Sequence, residues 1–148
     1  ALAWTDTRPL GGMTQAQFER ITPGHTPEQE RALSYQYGAF TGAADLYSSL
    51  PEVMAFLAAQ LDPLHPLHDA LVLTQQSHFA LGAGRAMGWG WRIRETSGKR
   101  WLEMSGAHHH ALAVRMDAGQ RRALVILSNT ANLAAVEEIR DRVWENTP

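Results

Sequence analysis

"RWLEMSGAHHHALAVRMDAGQRRALVILSNT", residues 100 to 130, is the stretch that decides the fold. Three runs of strand composition lie in and around it, at 99–105, 108–117 and 121–129. The turn sequence "DAGQ" separates the second run from the third. The last run is almost continuously apolar, which predicts a central strand covered on both faces.

Three consecutive histidines, His108, His109 and His110, follow a small-residue break at 105–107. On a strand, His108 and His110 share one face and His109 points the other way. The pattern is compatible with a metal site, a catalytic edge strand or a polar sheet end. Two imidazoles can share a zinc ion, but a zinc site needs three or four ligands, and the other histidines lie at no metal spacing. The sequence therefore favours hydrogen-bonded histidines, and we expect no metal and no cofactor.

The stretch before residue 100 adds a further strand. "MGWGWRIRE", residues 87–95, alternates large apolar side chains with glycines and arginines, which predicts a half-buried strand. Ser97 and Gly98 form a turn signal between this strand and the next. The sequence thus predicts an antiparallel meander of three to four strands.

Helices flank the predicted meander. Ser49 and Glu52 have capping-box spacing around Pro51, and an apolar face at helical spacing follows over 53–61. A second helix is predicted at about 66–77. The segment 132–146 predicts a closing amphipathic helix, and the residues expected to face inward are Leu133, Val136, Ile139 and Val143.

Together these elements predict a single α+β domain. Residues 1–48 form a connector, 49–78 a helical part, and 86–148 the sheet with its C-terminal helix. A formal charge of −2 argues against nucleic acid as a partner. The absence of cysteine excludes disulfides and thiol catalysis, and no apolar run is long enough for a membrane span. The start lacks both a methionine and a signal-peptide pattern, which suggests a chain cut from a longer one.

The sequence contains no recognisable nucleophile. Neither G-x-S-x-G nor S-x-x-K occurs in the 148 residues. Ser105 and His108 would face opposite sides of a strand, so a dyad of these two residues is not expected. Small residues at this point instead predict a close backbone approach, with an exposed N–H available to an oxyanion.

The order and spacing of several segments resemble the C-terminal half of the serine β-lactamase-like family. This family comprises class C β-lactamases, D-alanyl-D-alanine carboxypeptidases and esterases. "LAWTDTRPL" is similar to the family's "PLGMTDT", and "GRAMGWGWRI" to its "GLGW" passage. "LEMSGAHHHALAVRMD" and "ALVILSN" resemble its "HSGGTPGFSSLLALDP" and "GVVVLSN" strands.

The resemblance implies roles for the small-residue break. Met104, Ser105 and Gly106 match the family's third motif, K-T-G or H-x-G, on the strand that lines the substrate cleft. Ser105 would donate to a substrate carboxylate, Gly106 would let the substrate backbone dock, and the N–H of Ala107 would form half of the oxyanion hole. Met104 replaces a cationic or imidazole residue, and His108 lies where the family has small residues, on the cleft wall.

The resemblance also implies that the nucleophile and the Y-x-N loop lie upstream of this sequence. The first hypothesis is the C-terminal region of a bacterial, penicillin-binding-protein-like serine hydrolase, inactive alone, that takes a small-molecule or peptide substrate. The second is a non-catalytic binding or remnant module, and the third a histidine-metal protein. The incomplete sheet would pair with a second copy or with a complementary N-terminal half. Family members are often periplasmic, but the sequence leaves the compartment open.

Overall fold

The computed structural model describes residues 4–32, 38–40 and 46–147, and parts of the predicted connector, at 33–37 and 41–45, lie outside the described residues. A mixed α/β arrangement is observed, with an antiparallel sheet and a C-terminal helix. The sheet has six strands rather than three to four, in the order of the chain. Its strands are β3 (Phe79–Gly82), β4 (Arg85–Met87), β5 (Arg92–Thr96), β6 (Lys99–Ala107), β7 (Ala111–Asp117) and β8 (Arg122–Ser128).

The strand predicted at 87–95 is wrong as a continuous element, because the chain turns between β4 and β5. Gly90 has a φ of +79°, a conformation that glycine adopts without strain. A Cβ atom on Gly88 would lie 2.4 Å from the carbonyl oxygen of Thr74. The two glycines therefore make a tight corner. The additional hairpin of β3 and β4 accounts for the larger strand number, and the sheet begins at Phe79 rather than at 86.

The predicted histidine strand is also wrong in its first three positions. His108, His109 and His110 form the loop between β6 and β7, and β7 begins at Ala111. The peptide N–H of His108 donates to the carbonyl of His110 at 3.0 Å, which closes the hairpin. The three side chains are therefore not arranged on alternating faces of a strand.

Strand β8 lies at one edge of the sheet, so its prediction as a central strand is not met within the described residues. Its residues are half-buried rather than buried, and Leu127 is 43% exposed. The apolar composition of β8 is typical of a strand with neighbours on both sides. A further strand is the natural cover for such an edge.

Two helices precede the sheet, α2 (Leu50–Leu61) and α3 (His68–Thr74). Helix α2 begins after Ser49 with proline in its first turn, as predicted, but the Ser49 side chain makes no capping bond. Glu52 instead accepts hydrogen bonds from the peptide N–H groups of Thr5, Asp6 and Thr7, at 2.6, 2.8 and 2.6 Å. In place of the predicted capping box, the Glu52 carboxylate therefore binds the backbone of the N-terminal segment. Helix α3 is shorter than predicted.

The N-terminal segment carries small elements. Helix α1 (Gln15–Glu19) begins at a capping box between Thr14 and Gln17. Strands β1 (Arg8–Pro9) and β2 (Leu46–Tyr47) form a separate two-stranded sheet. None of the helices in the described part of the chain has the length and apolar character needed to cross a membrane.

The two faces of the six-stranded sheet differ in chemistry. Helix α2 covers one face with an apolar core whose buried members are Leu57, Trp91, Ile93, Leu102, Val114 and Met116. The closing helix α4 (Leu133–Asn146) covers the other face. Here a small apolar cluster around Val136 adjoins buried charged side chains of β6, β7 and α4.

The predicted inward face of α4 is only partly right. Val136 is 3% exposed, but Ile139 and Val143 are 48% and 39% exposed. Arg140, which is 4% exposed, points inward in their place. Helix α4 thus turns a charged stripe toward the sheet, because the strands beneath it present buried charges of their own.

Candidate functional site

The candidate site is the open edge of β6, which we define as the β5-facing side of Met104 to Ala107. Strand β5 pairs with β6 only from Thr96 opposite Lys99 to Arg92 opposite Glu103. On the other side, β7 continues to pair with β6 up to Ala107. From Met104 onward, the β5-facing side therefore has no strand partner among residues 4–32, 38–40 and 46–147.

The phase of the ladder determines which peptide groups point to the open edge. The two-residue turn at Ser97 and Gly98 makes Thr96 and Lys99 the first hydrogen-bonded pair. Odd-numbered residues of β6 therefore direct their peptide groups toward β5, and this alternation extends to Ser105 and Ala107. The peptide groups of even-numbered residues point toward β7 instead. The hydrogen bond from the His108 N–H to the His110 carbonyl, on the β7 side, agrees with this alternation. The peptide groups of Ser105 and Ala107 thus lie along the open edge.

The side chains of the open edge lie on opposite faces. Met104 is half-buried and packs against the apolar core under α2. Ser105 points to the α4 face. Gly106 and Ala107 are exposed, and a Cβ atom added to Gly106 would have no neighbour within 4 Å among the residues that the structure describes. The edge is therefore accessible, and it carries no charged side chain on β6 itself.

Ser105 belongs to a polar trio with Arg92 of β5 and Glu137 of α4. Its hydroxyl donates to Glu137 Oε1, and Arg92 Nη2 contacts both the Ser105 hydroxyl and Glu137 Oε1, the latter at 3.0 Å. The hydrogen bond from Ser105 and the charge of Arg92 lower the pKa of Glu137. Glu137 is thus an ionised carboxylate beside the open edge. The predicted role of Ser105 as donor to a substrate carboxylate stays a prediction.

Behind this trio lies what we call the buried ionic cluster, in which Glu103, Arg115 and Arg140 are buried and Asp141, with 44% of its side chain exposed, completes the cluster at the surface. Glu103 accepts from Arg115 Nε at 3.0 Å and from the Trp101 indole at 3.0 Å. Asp141 accepts from Arg115 at 2.8 Å and pairs with Arg140 at 2.7 Å. Desolvation alone would raise the pKa of Glu103, but hydrogen bonding and charge from Arg115 lower it. The cluster fixes β6 against β7 and α4.

The histidine loop fastens the far end of the open edge to the N-terminal segment. The N–H of His25 donates to the carbonyl of His109 at 3.1 Å, and His110 Nε2 lies 2.7 Å from the carbonyl oxygen of Thr22. The His110 ring also packs edge-on against Tyr47, with centroids 6.0 Å apart. His108 is exposed and its ring lies against that of His109.

The histidine side chains do not assemble into a metal site in the described part of the chain. No grouping of three or more histidine, aspartate or glutamate side chains there has an arrangement suited to a metal ion. Desolvation and the neighbouring charges of His108 and His110 lower the pKa of His109. Of the three histidines that the sequence singled out, His109 and His110 therefore hold this loop against the predicted connector.

The sequence singled out Met104 to Ala107 as a candidate site, but it did not single out Arg92 or Glu137. Strand alternation already placed Arg92 on the polar side of β5, and Glu137, Arg140 and Asp141 follow helical spacing on one side of α4. That polar stripe was a usable signal, but the apolar residues of α4 suggested a different inward face. The partners of Glu137 are Arg92 and Ser105, which lie on two different strands.

Comparison with known proteins gives consistent results. The family model described as Beta-lactamase matches residues 5–147. The chain is similar to the solved structure of a β-lactamase/D-alanine carboxypeptidase from Pseudomonas syringae, with a TM-score of 0.82 and 17% identity over 99% of this chain and 51% of that one. It is also similar to a class C β-lactamase from Rhodobacter sphaeroides, with a TM-score of 0.80 and 14% identity over 98% and 51%.

The matched structures are longer than this chain. A further class C β-lactamase matches with a TM-score of 0.71 and 12% identity, over 80% of this chain and 40% of that one. The chain thus spans about half the length of the solved structures from Pseudomonas syringae and Rhodobacter sphaeroides. A search of curated proteins finds no match.

Proposed function

The chain belongs to the beta-lactamase family, and from this premise we propose that it is the C-terminal region of a serine hydrolase acting on β-lactam, D-Ala-D-Ala peptide or ester substrates. In this proposal the open edge of β6 is the cleft wall along which the substrate lies. The observation that carries the proposal is the end of β5 opposite Glu103, which leaves the peptide groups of Ser105 and Ala107 without a strand partner in the described residues.

The central role belongs to Ala107. Its N–H is one donor of an oxyanion hole, and the second donor is the N–H of a nucleophile outside this sequence. Two converging N–H groups stabilise the negative charge that develops on the carbonyl oxygen during acyl transfer, and loss of one donor costs about 10²–10³ in rate. The exposed position of Ala107 beside the hairpin loop supports this role.

The remaining substrate contacts come from the same edge. Gly106 lets the substrate backbone approach, which the open space around its Cα supports. Ser105 and His108 flank the bound substrate, and Met104 contributes apolar contact at the base of the wall. Because Met104 carries no charge, orientation of an anionic substrate must come from elsewhere than the first position of the motif.

Catalysis requires a complementary half. The 148 residues contain no S-x-x-K nucleophile, so this region is proposed to be inactive alone. The half-buried apolar strand β8 at the sheet edge supports completion by an N-terminal half, and a second copy of the chain is the alternative occupant. Size-exclusion chromatography with light scattering separates these arrangements: a stable dimer of the 148-residue chain supports the second, and a monomer that acquires activity with an upstream half supports the first.

The first experiment is to determine the intact mass and gene boundary of the natural product and then to label it with a fluorescent penicillin. A product about twice this length that labels covalently supports the hydrolase. A natural product of 148 residues that never labels contradicts it.

Matched variants then test the oxyanion role. Ala107→Pro removes the backbone N–H, and Ala107→Gly retains it. We expect the labelling rate to fall by about 10²-fold or more in Ala107→Pro and to change little in Ala107→Gly. Thermal melting of both variants separates this effect from unfolding, and equal labelling rates in two folded variants would contradict the role.

Met104 supports a second candidate, a non-catalytic binding or remnant module. Its half-buried, uncharged side chain packs on the core where the family motif has a cationic or imidazole residue. Saturable ligand binding without turnover in the complete natural product would favour this candidate over the hydrolase.

A further inference from the structure

Glu137 occupies a position that suits the carboxylate of a ligand. One of its oxygens accepts from the Ser105 hydroxyl and from the guanidinium of Arg92. A hydroxyl and a guanidinium that converge on one oxygen form a strong, charge-assisted carboxylate-binding pair. In this structure the carboxylate on that pair belongs to the protein itself.

The pair is accessible and adjoins the open edge. The side chains of Arg92 and Glu137 are 43% and 31% exposed, so ligand atoms can reach both. Arg92 is the first residue of β5, at the point where the pairing with β6 stops. Ser105 lies on the unpaired part of β6. A molecule bound along the open edge therefore lies directly beside Glu137.

We propose that Glu137 is a specificity-determining residue that fills the carboxylate-binding pair of Ser105 and Arg92 and thereby favours neutral over carboxylate-bearing substrates. The inference rests on the proposed function, because the substrate is placed along the open edge. The substrate class it selects is that of neutral esters and amides.

The physical reason is competition for the same donors. Both donors already converge on Glu137 Oε1, so an incoming carboxylate must either displace Glu137 or lie beside its negative charge. Two like charges at contact distance repel, and the repulsion is weakly screened in a partly buried site. Met104 supplies no cation to offset this repulsion. A neutral ligand meets neither obstacle.

The test measures binding to the natural gene product that contains these residues. The probes are N-acetyl-D-alanine, which carries a carboxylate, and N-acetyl-D-alaninamide, which is neutral and of nearly equal size. We expect Glu137→Ala to tighten binding of the carboxylate probe at least 10-fold and to leave the amide probe within about 2-fold. Glu137→Gln removes the charge but keeps the side chain in place, so it should give a smaller gain.

Two further variants make the result specific. Glu138→Ala removes a neighbouring carboxylate that points to solvent, with 70% of its side chain exposed, and should change neither affinity. Adding Arg92→Met to Glu137→Ala should abolish the gain, because the cation that binds the probe is lost. Thermal melting verifies that each variant is folded.

The proposal is overturned if neither Glu137 variant gains affinity for the carboxylate, if the amide gains equally, or if the gain survives Arg92→Met. These outcomes are independent of covalent labelling. A complete natural product that reacts neither with penicillin nor with a neutral activated ester refutes the hydrolase, whereas a protein that reacts with either one but shows no carboxylate gain refutes only the role of Glu137.

Discussion

The two halves of strand β6 have opposite surroundings. The first half, up to Glu103, pairs with β5 on one side and β7 on the other, and it carries the buried residues Leu102 and Glu103. The second half, from Met104 to Ala107, pairs with β7 alone among the strands of the described residues, and it ends in exposed residues. A single nine-residue strand thus contains a closed, structural half and an open half with available peptide groups.

The difference shows how a rigid scaffold supports an accessible edge. The buried ionic cluster and the apolar core hold the first half from both faces. The second half extends from that anchor and is fastened again at the histidine loop, where His109 contacts the N-terminal segment. Groups on rigid elements keep the geometry that binding requires without paying ordering entropy. Substitutions in the closed half should therefore affect stability, and those in the open half should affect ligand binding.

The largest expected effect lies in the closed half. Glu103→Gln removes the negative charge between Arg115 and Arg140, whose side chains are 9% and 5% exposed. Breaking a buried ion pair at one partner costs about 3–5 kcal/mol, because the remaining charge is left uncompensated. We expect a loss of this size in the free energy of unfolding, measured by urea denaturation. A loss below about 1 kcal/mol would mean that the cluster is solvated in solution.

A pair of glycine substitutions separates the fastened loop from the open edge. A Cβ atom on Gly24 would lie 2.6 Å from the carbonyl oxygen of His109, whereas one on Gly106 would have no described residue within 4 Å. Gly24→Ala should cost about 1–3 kcal/mol through overpacking, and Gly106→Ala should change stability by less than about 0.5 kcal/mol.

The two substitutions should rank in the reverse order in their effect on ligand binding, because Gly106 lies on the open edge that is proposed to contact the substrate. Gly106→Ala places a methyl group on the open edge, so we expect slower penicillin labelling of the complete protein at unchanged melting temperature. If Gly106→Ala lowered stability as much as Gly24→Ala, the open edge would be packed as tightly as the fastened loop, which would contradict its accessibility.

Acid titration sharpens the contrast further. The pKa of Glu103 is lowered in the folded protein because the hydrogen bond and charge of Arg115 outweigh desolvation. Its stabilising contribution is present above the ordinary carboxyl pKa of about 4.3 and is lost as the pH falls below that value. The stability difference between the native protein and Glu103→Gln should therefore shrink between about pH 5 and pH 3. A difference that stays constant with pH would contradict the assignment of this charge.

The smallest effect is expected at the solvent side of α4. Glu138 and Arg142 form an exposed i, i+4 pair at 3.8 Å. Such pairs contribute about 0.3–0.5 kcal/mol at most. Glu138→Gln should therefore change the free energy of unfolding by no more than this, and it serves as the charge-matched control for Glu103→Gln. A loss comparable to that of Glu103→Gln would show that burial does not distinguish the two sites.

The sequence patterns predicted the turns and the strand pairing better than they predicted the contacts that those elements make with distant segments. The turn at Ser97 and Gly98 was confirmed by the β5–β6 pairing, and the small-residue break coincides with the end of β5 pairing. These features depend on residues close in the chain. The loop at His108 was missed because histidines have no strong preference between strand and turn, and its conformation depends on Gly24, which is more than eighty residues away.

The candidate site shows the same division. The resemblance proposed Met104 to Ala107, and their role stays a prediction. Arg92 and Glu137 were not predicted, because their contacts join β5, β6 and α4. The face that α4 turns toward the sheet depends on which residues compensate the buried charges of β6 and β7. Arg140 therefore replaces Ile139 and Val143 on the inward face, against the apolar pattern.

The sequence by itself determined the family resemblance, the antiparallel hairpins and the position of the small-residue break, because turn residues and side-chain alternation act over a few neighbouring residues. Only the tertiary structure decided which edge of β6 stays open, that the histidines fasten the connector, and that Glu137 lies on Ser105 and Arg92. Those features depend on which distant segments pair with the same hydrogen-bonding groups and fill the same buried space. The local sequence does not determine that outcome.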